Sequence, residues 1–140
     1  MPSGFERAIA RTLSPELERY QLAPTAVDEP VHEGDLIAGA LRVIDLPGKS
    51  PGEIGIYFEP ALHAVSRDAG GILLLGDAII GYPPGALGLI PEQNLDDPVI
   101  LKRSLAKLLS YEFEVLLLCD GQPVLDGAKL KVAEFLYSLA

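Results

Sequence analysis

The sequence predicts a single α/β domain with a mixed β-sheet and helices packed on one face of it. Short runs of Leu, Ile and Val alternate with turns rich in glycine and proline, and two later stretches carry apolar residues at helical spacing. The predicted order is α, β, β, β, α, β, α. One domain covering 1–140 is expected, because a chain of 140 residues with 49% hydrophobic content can bury one core.

The first 30 residues are predicted to form a helical N-terminal arm, with the sheet and its helices in 31–140. Within 5–20, apolar residues recur every three or four positions, as on one face of a helix. Ser14-Pro15 falls in the middle of this pattern. Since proline opens a helix readily but interrupts its interior, the arm is two short helices or one kinked helix.

Three strands are predicted next. The run 36–46 is strand-like, with Gly39 as a possible bulge, and Pro47 to Gly52 form a turn before a strand at 53–59. The third strand, 72–75, is followed by the long glycine- and proline-rich segment 76–98. The runs at 41–46 and 72–75 are so continuously apolar that they are typical of strands buried on both faces.

The C-terminal part is predicted to contain a helix, a strand and a last helix. Asp96, Asp97 and Pro98 are a helix-start signal before VILKRSLAKLLSYE. The run FEVLLL at 113–118 is a buried strand that ends at Cys119-Asp120-Gly121. The stretch AKLKVAEFLYSL then has a broad apolar face.

The charge of the chain excludes some classes of partner. Its net charge is −9, and an acidic chain without a basic stripe repels nucleic acid and anionic membrane surfaces. The single Cys119 allows no internal disulfide and fits a reducing compartment. No stretch resembles a signal peptide or a membrane span. The expectation is a cytoplasmic protein that binds neither nucleic acid nor membranes.

Three residues are candidates for a site. A buried strand that ends in Gly76-Asp77 delivers a carboxylate to the rim of its sheet, where α/β proteins commonly bind ligands. Asp120 ends the later strand in the same way, and Lys49 lies in the turn at 47–52. For each aspartate the alternative is a turn residue without a ligand, since Asp is common in turns after strands.

The segments LRVIDLPGKSPG, ILLLGDAIIG and VLLLCDGQPVLDGAKLKVAEFL, in this order and spacing, resemble the C-terminal half of metallo-β-lactamase-fold hydrolases over about residues 30–139. The resemblance implies one half of an αββα sandwich. In that family, the turn that corresponds to 47–52 and a later Gly-His-Gly segment each carry a metal-binding histidine. The resemblance therefore implies that a metal site would lie at these positions. Lys49 and Asp120 occupy those two positions here, and Asp77 alone matches a family ligand.

The resemblance therefore predicts a degenerate site without a metal, with Asp77 as the ligand if any is bound. His32 and His63 fall outside the motif positions, and zinc needs three or four N, S or O ligands. We hypothesise that the Lys49 ammonium stands where a cation would bind and pairs with Asp77 and Asp120. The expected function is non-catalytic, by association or small-molecule binding, including an anion at Lys49. The alternative is a zinc-, iron- or manganese-dependent hydrolase of esters, thioesters or phosphodiesters, whose missing ligands come from a partner chain.

A lone half-sandwich would leave one apolar sheet face open to water. Either two copies pack sheet to sheet, or the N-terminal residues and the segment 76–98 fold over that face. The homodimer is the expected outcome, because residues 1–30 offer few large hydrophobic side chains.

Overall fold

The computed structural model describes residues 25–60 and 70–139. Within them the chain forms five strands and two α-helices in the order β1, β2, β3, β4, α1, β5, α2. Their bounds are β1 Leu36–Ile37, β2 Leu41–Asp45, β3 Ile54–Phe58, β4 Gly71–Leu75, α1 Pro98–Lys107, β5 Phe113–Leu118 and α2 Ala128–Ser138. The predicted helical arm at 5–20 and His63 lie outside the described residues.

The strands form one mixed sheet in chain order, β1-β2-β3-β4-β5. The first three pairings are antiparallel, and β4 and β5 run parallel, so that Leu75 lies beside Leu118. α1 and α2 bury their apolar side chains in the core against one side of this sheet. The mixed α/β sheet with helices on one face is therefore confirmed.

One predicted strand is wrong in its extent. The run 36–46 is two strands joined by a tight hairpin, in which Ile37 pairs with Leu41. Ala38 and Gly39 both have positive φ, at 52° and 70°, and the Ala40 N–H donates to the Ile37 carbonyl at 3.1 Å. Two successive positive φ angles reverse the chain in the sense that suits a hairpin. Gly39 thus forms a turn, where a bulge was predicted.

The main core lies between the sheet and the helices. Alternate strand residues point into it and are almost fully buried, namely Ile44, Tyr57, Leu73, Leu75, Phe113 and Leu116, and so is Leu46, which follows β2. They meet Leu101 and Leu105 from α1, Leu108 from the turn that follows it, and Ala128 and Val132 from α2. The segment after β4 also contributes, since Ala78 and Ile79 are completely buried in the same cluster. Its buried residues therefore lie on the helix side of the sheet.

The side chains of two tyrosines pack against each other beside this core. The rings of Tyr57 and Tyr111 lie 5.0 Å apart between centroids and are tilted by 56°. The Tyr57 hydroxyl donates to the Glu112 main-chain carbonyl at 2.8 Å. Burial raises the pKa of Tyr57, and the carboxylates of Glu59 and Glu112 raise it further. Burial also raises the pKa of Tyr111.

The opposite side of the sheet, which we call the outer face, is also apolar. The strand register places Asp45 and ten apolar side chains on it, the latter being Ile37, Leu41, Val43, Ile54, Ile56, Phe58, Ile72, Leu74, Val115 and Leu117. None of them belongs to the core cluster of the described residues. Leu74, on the internal strand β4, is 37% exposed, so the prediction that β4 is buried on both faces is wrong for the single chain. No helix in 25–60 or 70–139 is long and apolar enough to cross a membrane.

Candidate functional site

The turn at 47–52 is held against the beginning of α1 by its main-chain carbonyls. The Asp97 N–H donates to the Gly48 carbonyl at 2.8 Å, and the Asp96 N–H donates to the Lys49 carbonyl at 3.2 Å. The Ser104 hydroxyl, from the second turn of α1, donates to the Pro47 carbonyl at 2.7 Å. Three successive carbonyls of the turn are therefore satisfied by one helix start, which fixes the direction of the Lys49 side chain.

Gly48 makes this close contact possible. Its φ is +127°, and a Cβ built on it would lie 2.6 Å from the Leu101 Cβ and closer still to the Leu101 main chain. No other residue type fits between the turn and the helix without moving one of them. α1 itself begins in place because the Asp97 side chain caps it, accepting from the Val99 and Ile100 N–H groups at 2.9 Å each.

Lys49 is buried and paired with carboxylates. Its side chain is 7% exposed, and its Nζ lies 3.2 Å from the Asp77 Oδ2 and 4.0 Å from the Glu53 Oε2. Glu53 is almost as deeply buried, at 12% exposure, whereas Asp77 is 44% exposed. The structure thus brings Lys49 and Asp77 together at the end of β4 and adds a second carboxylate, that of Glu53.

Glu53 is the site residue that the sequence analysis missed. Glu53 immediately precedes β3, and its main-chain carbonyl accepts a hydrogen bond from the Leu46 N–H at 2.9 Å. Its carboxylate occupies the space that a side chain at position 76 would need, because a Cβ on Gly76 would overlap the Glu53 Oε1. The glycine of Gly76-Asp77 therefore admits one carboxylate while the aspartate supplies the other. The available signal was the four-residue spacing of Lys49 and Glu53 across a turn.

Asp120 lies at the same edge of the sheet as Asp77, because β4 and β5 are parallel and in register there. Its side chain is exposed, and its main-chain carbonyl accepts from the Gly81 N–H at 2.9 Å. Gly81 and Gly121 pack against each other, since a Cβ on Gly121 would overlap the Gly81 carbonyl. The described contact of Asp120 therefore ties the segment after β4 to the end of β5. The pairing of Asp120 with Lys49 stays a prediction.

The remaining candidate residues do not assemble a site. His32 is exposed and accompanies Asp35, as expected for a solvated histidine. Cys119 is exposed, just after the end of β5. Two clefts of about 560 and 220 Å³ occur among the described residues, and neither is lined by Lys49, Asp77 or Asp120. Within 25–60 and 70–139, no three His, Cys, Asp or Glu side chains are grouped to hold a metal ion.

Comparison with solved structures decides the fold. A crystal structure of a metallo-β-lactamase family protein from Thermus thermophilus superimposes with a TM-score of 0.59, at 22% sequence identity, over 95% of this chain. The chain has a metallo-β-lactamase-like fold. It spans 43% of the length of that protein. No protein-family model matches the sequence, and no curated protein matches it significantly.

Lys49 supplies no metal ligand beside the end of β4. A metal ion is held by lone pairs on nitrogen, sulfur or oxygen, and a protonated lysine has none to give. The Lys49 ammonium instead contributes a positive charge 3.2 Å from the Asp77 carboxylate. The carboxylate that the sequence offers as a ligand is therefore already paired with a side-chain cation.

Proposed function

We propose that this chain is a non-catalytic metallo-β-lactamase-like protein that acts by association. In this proposal the Lys49 ammonium is a permanent positive charge at the edge of the sheet. The observation that carries the proposal is the buried ion pair between Lys49 and Asp77, 3.2 Å apart. Lys49 and Asp120 stand where the resembled family has metal-binding histidines, so two imidazole ligands are replaced. The Lys49 ammonium supplies a positive charge that neutralises the Asp77 carboxylate. We further propose that the resemblance covers half of a sandwich and that the protein works in the cytoplasm without a cofactor.

Association is favoured over small-molecule binding by the state of Lys49. An anionic ligand would have to compete with two carboxylates, since both Asp77 and Glu53 lie within 4.0 Å of the Nζ. With one ammonium between two carboxylates, the local charge is negative, which opposes a further anion. The apolar outer face, by contrast, offers a surface for a second protein chain.

The metal content of the purified protein tests this proposal. The full chain is produced in medium supplemented with zinc, iron and manganese, exchanged into metal-free buffer and measured by elemental mass spectrometry. The expected result is far below stoichiometric for all three metals. A content near one ion per chain, as a structural or catalytic site would retain, would overturn the proposal and support the alternative, a metal-dependent hydrolase of esters, thioesters or phosphodiesters.

A matched variant makes the measurement sharper. Lys49→Ala removes the ammonium and leaves the carboxylates of Asp77 and Glu53 without that cation. If Lys49 stands in for a cation, this variant gains weak divalent-ion binding that the wild type lacks, measurable by calorimetric titration with zinc. Lys129→Ala, which removes the partner of the exposed Glu112 carboxylate, is the control and gains none. Equal zinc binding by the wild type and Lys49→Ala would contradict the substitution of an amine for a metal.

A further inference from the structure

We infer that the outer face of the sheet is an interface between two copies of this chain. The inference rests on the association in the proposed function and names its partner. It is carried by the composition of the face, by its exposure and by the charge around it.

The composition of the outer face is apolar in its two longest cross-strand rows. Val43, Ile56, Leu74 and Leu117 form the middle row, from β2 to β5. A second row continues from Ile37 and Leu41 through Phe58 and Ile72 to Val115. A sheet that exposes one face to water normally alternates apolar and polar residues along each strand. β4 and β5 do not alternate, so their outer face has the composition of an interface.

The exposure of the outer face differs from that of the core face. Opposite the fully buried Leu73, the neighbouring Leu74 is 37% exposed, and Ile37 on β1 is 38% exposed. Val43 is completely buried, and the other outer-face residues are partly exposed. The helices and the segment after β4 bury their side chains on the other side, in a cluster that contains none of the outer-face residues. An extended apolar patch of this kind marks an interaction site on a folded protein.

The size of the face fits a reversible dimer. Four strands about 4.8 Å apart, each five or six residues long, together with the two-residue β1, cover on the order of 350 Å² in projection. A standard interface buries roughly 800 Å² of accessible surface per partner, and side-chain relief makes accessible area larger than projected area. Two such faces, packed about 10 Å apart as sheets pack in sandwiches, form a core that neither copy has alone. Because each copy has one such face, association by a two-fold axis stops at two.

The charge distribution is compatible with a second copy. Each chain carries a net charge of −9, which opposes association at long range. Among the described strand residues, however, the outer face carries its one acidic side chain, Asp45, at its end, so contact does not bring charges into the middle of the interface. The dimer is therefore expected to tighten as salt screens the repulsion. A basic partner protein would show the opposite salt dependence.

Sedimentation velocity on the full chain tests the inference. Over a range of protein concentrations, the mass is expected to rise from 14.9 kDa towards twice that value, and the dissociation constant is expected to fall as salt is raised. A monomer at every concentration would overturn the inference, since the face would then be covered within the chain. A dimer that weakens as salt is raised would also overturn it, because charge pairs would then hold the copies together.

Two leucine variants locate the interface. Leu74→Ala, on the outer face, is expected to weaken the dimer at least tenfold, whereas Leu130→Ala, at a 66% exposed position on α2, leaves the dissociation constant unchanged. Far-UV circular dichroism confirms that both variants are folded, and a milder Leu74→Val variant serves if Leu74→Ala is not. An unchanged dimer in the outer-face variants would place the interface elsewhere and refute the inference. A metal-free monomer would refute the dimer alone, and a metal-loaded dimer would refute the non-catalytic function alone.

Discussion

Replacing Lys49 by Met removes the cation between two carboxylates while keeping most of the hydrocarbon stem. Glu53 is only 12% exposed and would keep its negative charge with little solvent to stabilise it. Breaking a buried ion pair by removing one partner costs about 3 to 5 kcal/mol. Asp77 is 44% exposed, and solvent screens its share. The expected loss is therefore near the lower limit, about 3 kcal/mol of the free energy of unfolding.

Urea unfolding followed by far-UV circular dichroism measures this loss, under conditions in which the wild type and variant have the same oligomeric state. Lys129→Met is the matched control, because it removes the same charge from an ion pair in which Glu112 is 85% exposed. Such a surface pair is worth at most about 1 kcal/mol. A Lys49→Met protein as stable as Lys129→Met at pH 7 would refute the buried-cluster reasoning.

Two further predictions concern the turn and the tyrosines. Gly48→Ala is expected to destabilise the fold by about 3 kcal/mol, because it combines an unfavourable positive φ with overlap on the α1 main chain. Gly52→Ala is the control, since a Cβ at Gly52 has nothing within 4 Å and the residue has no positive φ. Equal urea midpoints for the two variants would contradict the close contact at Gly48. The raised pKa values of Tyr57 and Tyr111 mean that the folded state holds these phenol protons more tightly than the unfolded state. Their contribution to stability is fully present below the unfolded pKa of about 10 and is lost as the pH rises through the raised folded values. Urea midpoints measured from pH 8 to pH 11 should fall less for Tyr111→Phe than for the wild type, and parallel curves would contradict this assignment.

Local patterns in the sequence predicted the elements whose ends carry a strong chemical signal. Asp97-Pro98 marks the start of α1 because the aspartate caps the helix and the proline needs no donor there. β5 begins and ends at the predicted residues 113 and 118. The hairpin between β1 and β2 was missed because Ala38-Gly39 lies within a run that is apolar on both sides. A reversal there requires a positive φ at an alanine, which composition does not indicate.

The candidate site was predictable only in part, for a related reason. Lys49 and Asp77 each sit in a segment with its own signal, a Pro-Gly turn and a strand ending in Gly-Asp. Glu53 has only its four-residue spacing from Lys49 as a signal, because its place depends on the absence of a side chain at Gly76, which follows β4. A contact of this kind depends on which residues of β3 and β4 lie side by side. The structure shows that register, whereas local sequence patterns do not specify it.

The burial of Lys49 and Glu53 also explains how the turn retains a charge that proteins rarely bury. The main-chain carbonyls of Pro47, Gly48 and Lys49 accept hydrogen bonds from the start of α1. The Lys49 ammonium is held instead by the carboxylates of Asp77 and Glu53. Because α1 fixes the turn and the sheet fixes both carboxylates, the ion pair forms only when helix and sheet are docked together. The cluster therefore couples the two layers of the fold, and a loss of stability in Lys49→Met should be accompanied by faster hydrogen exchange at the Asp96 and Asp97 amides.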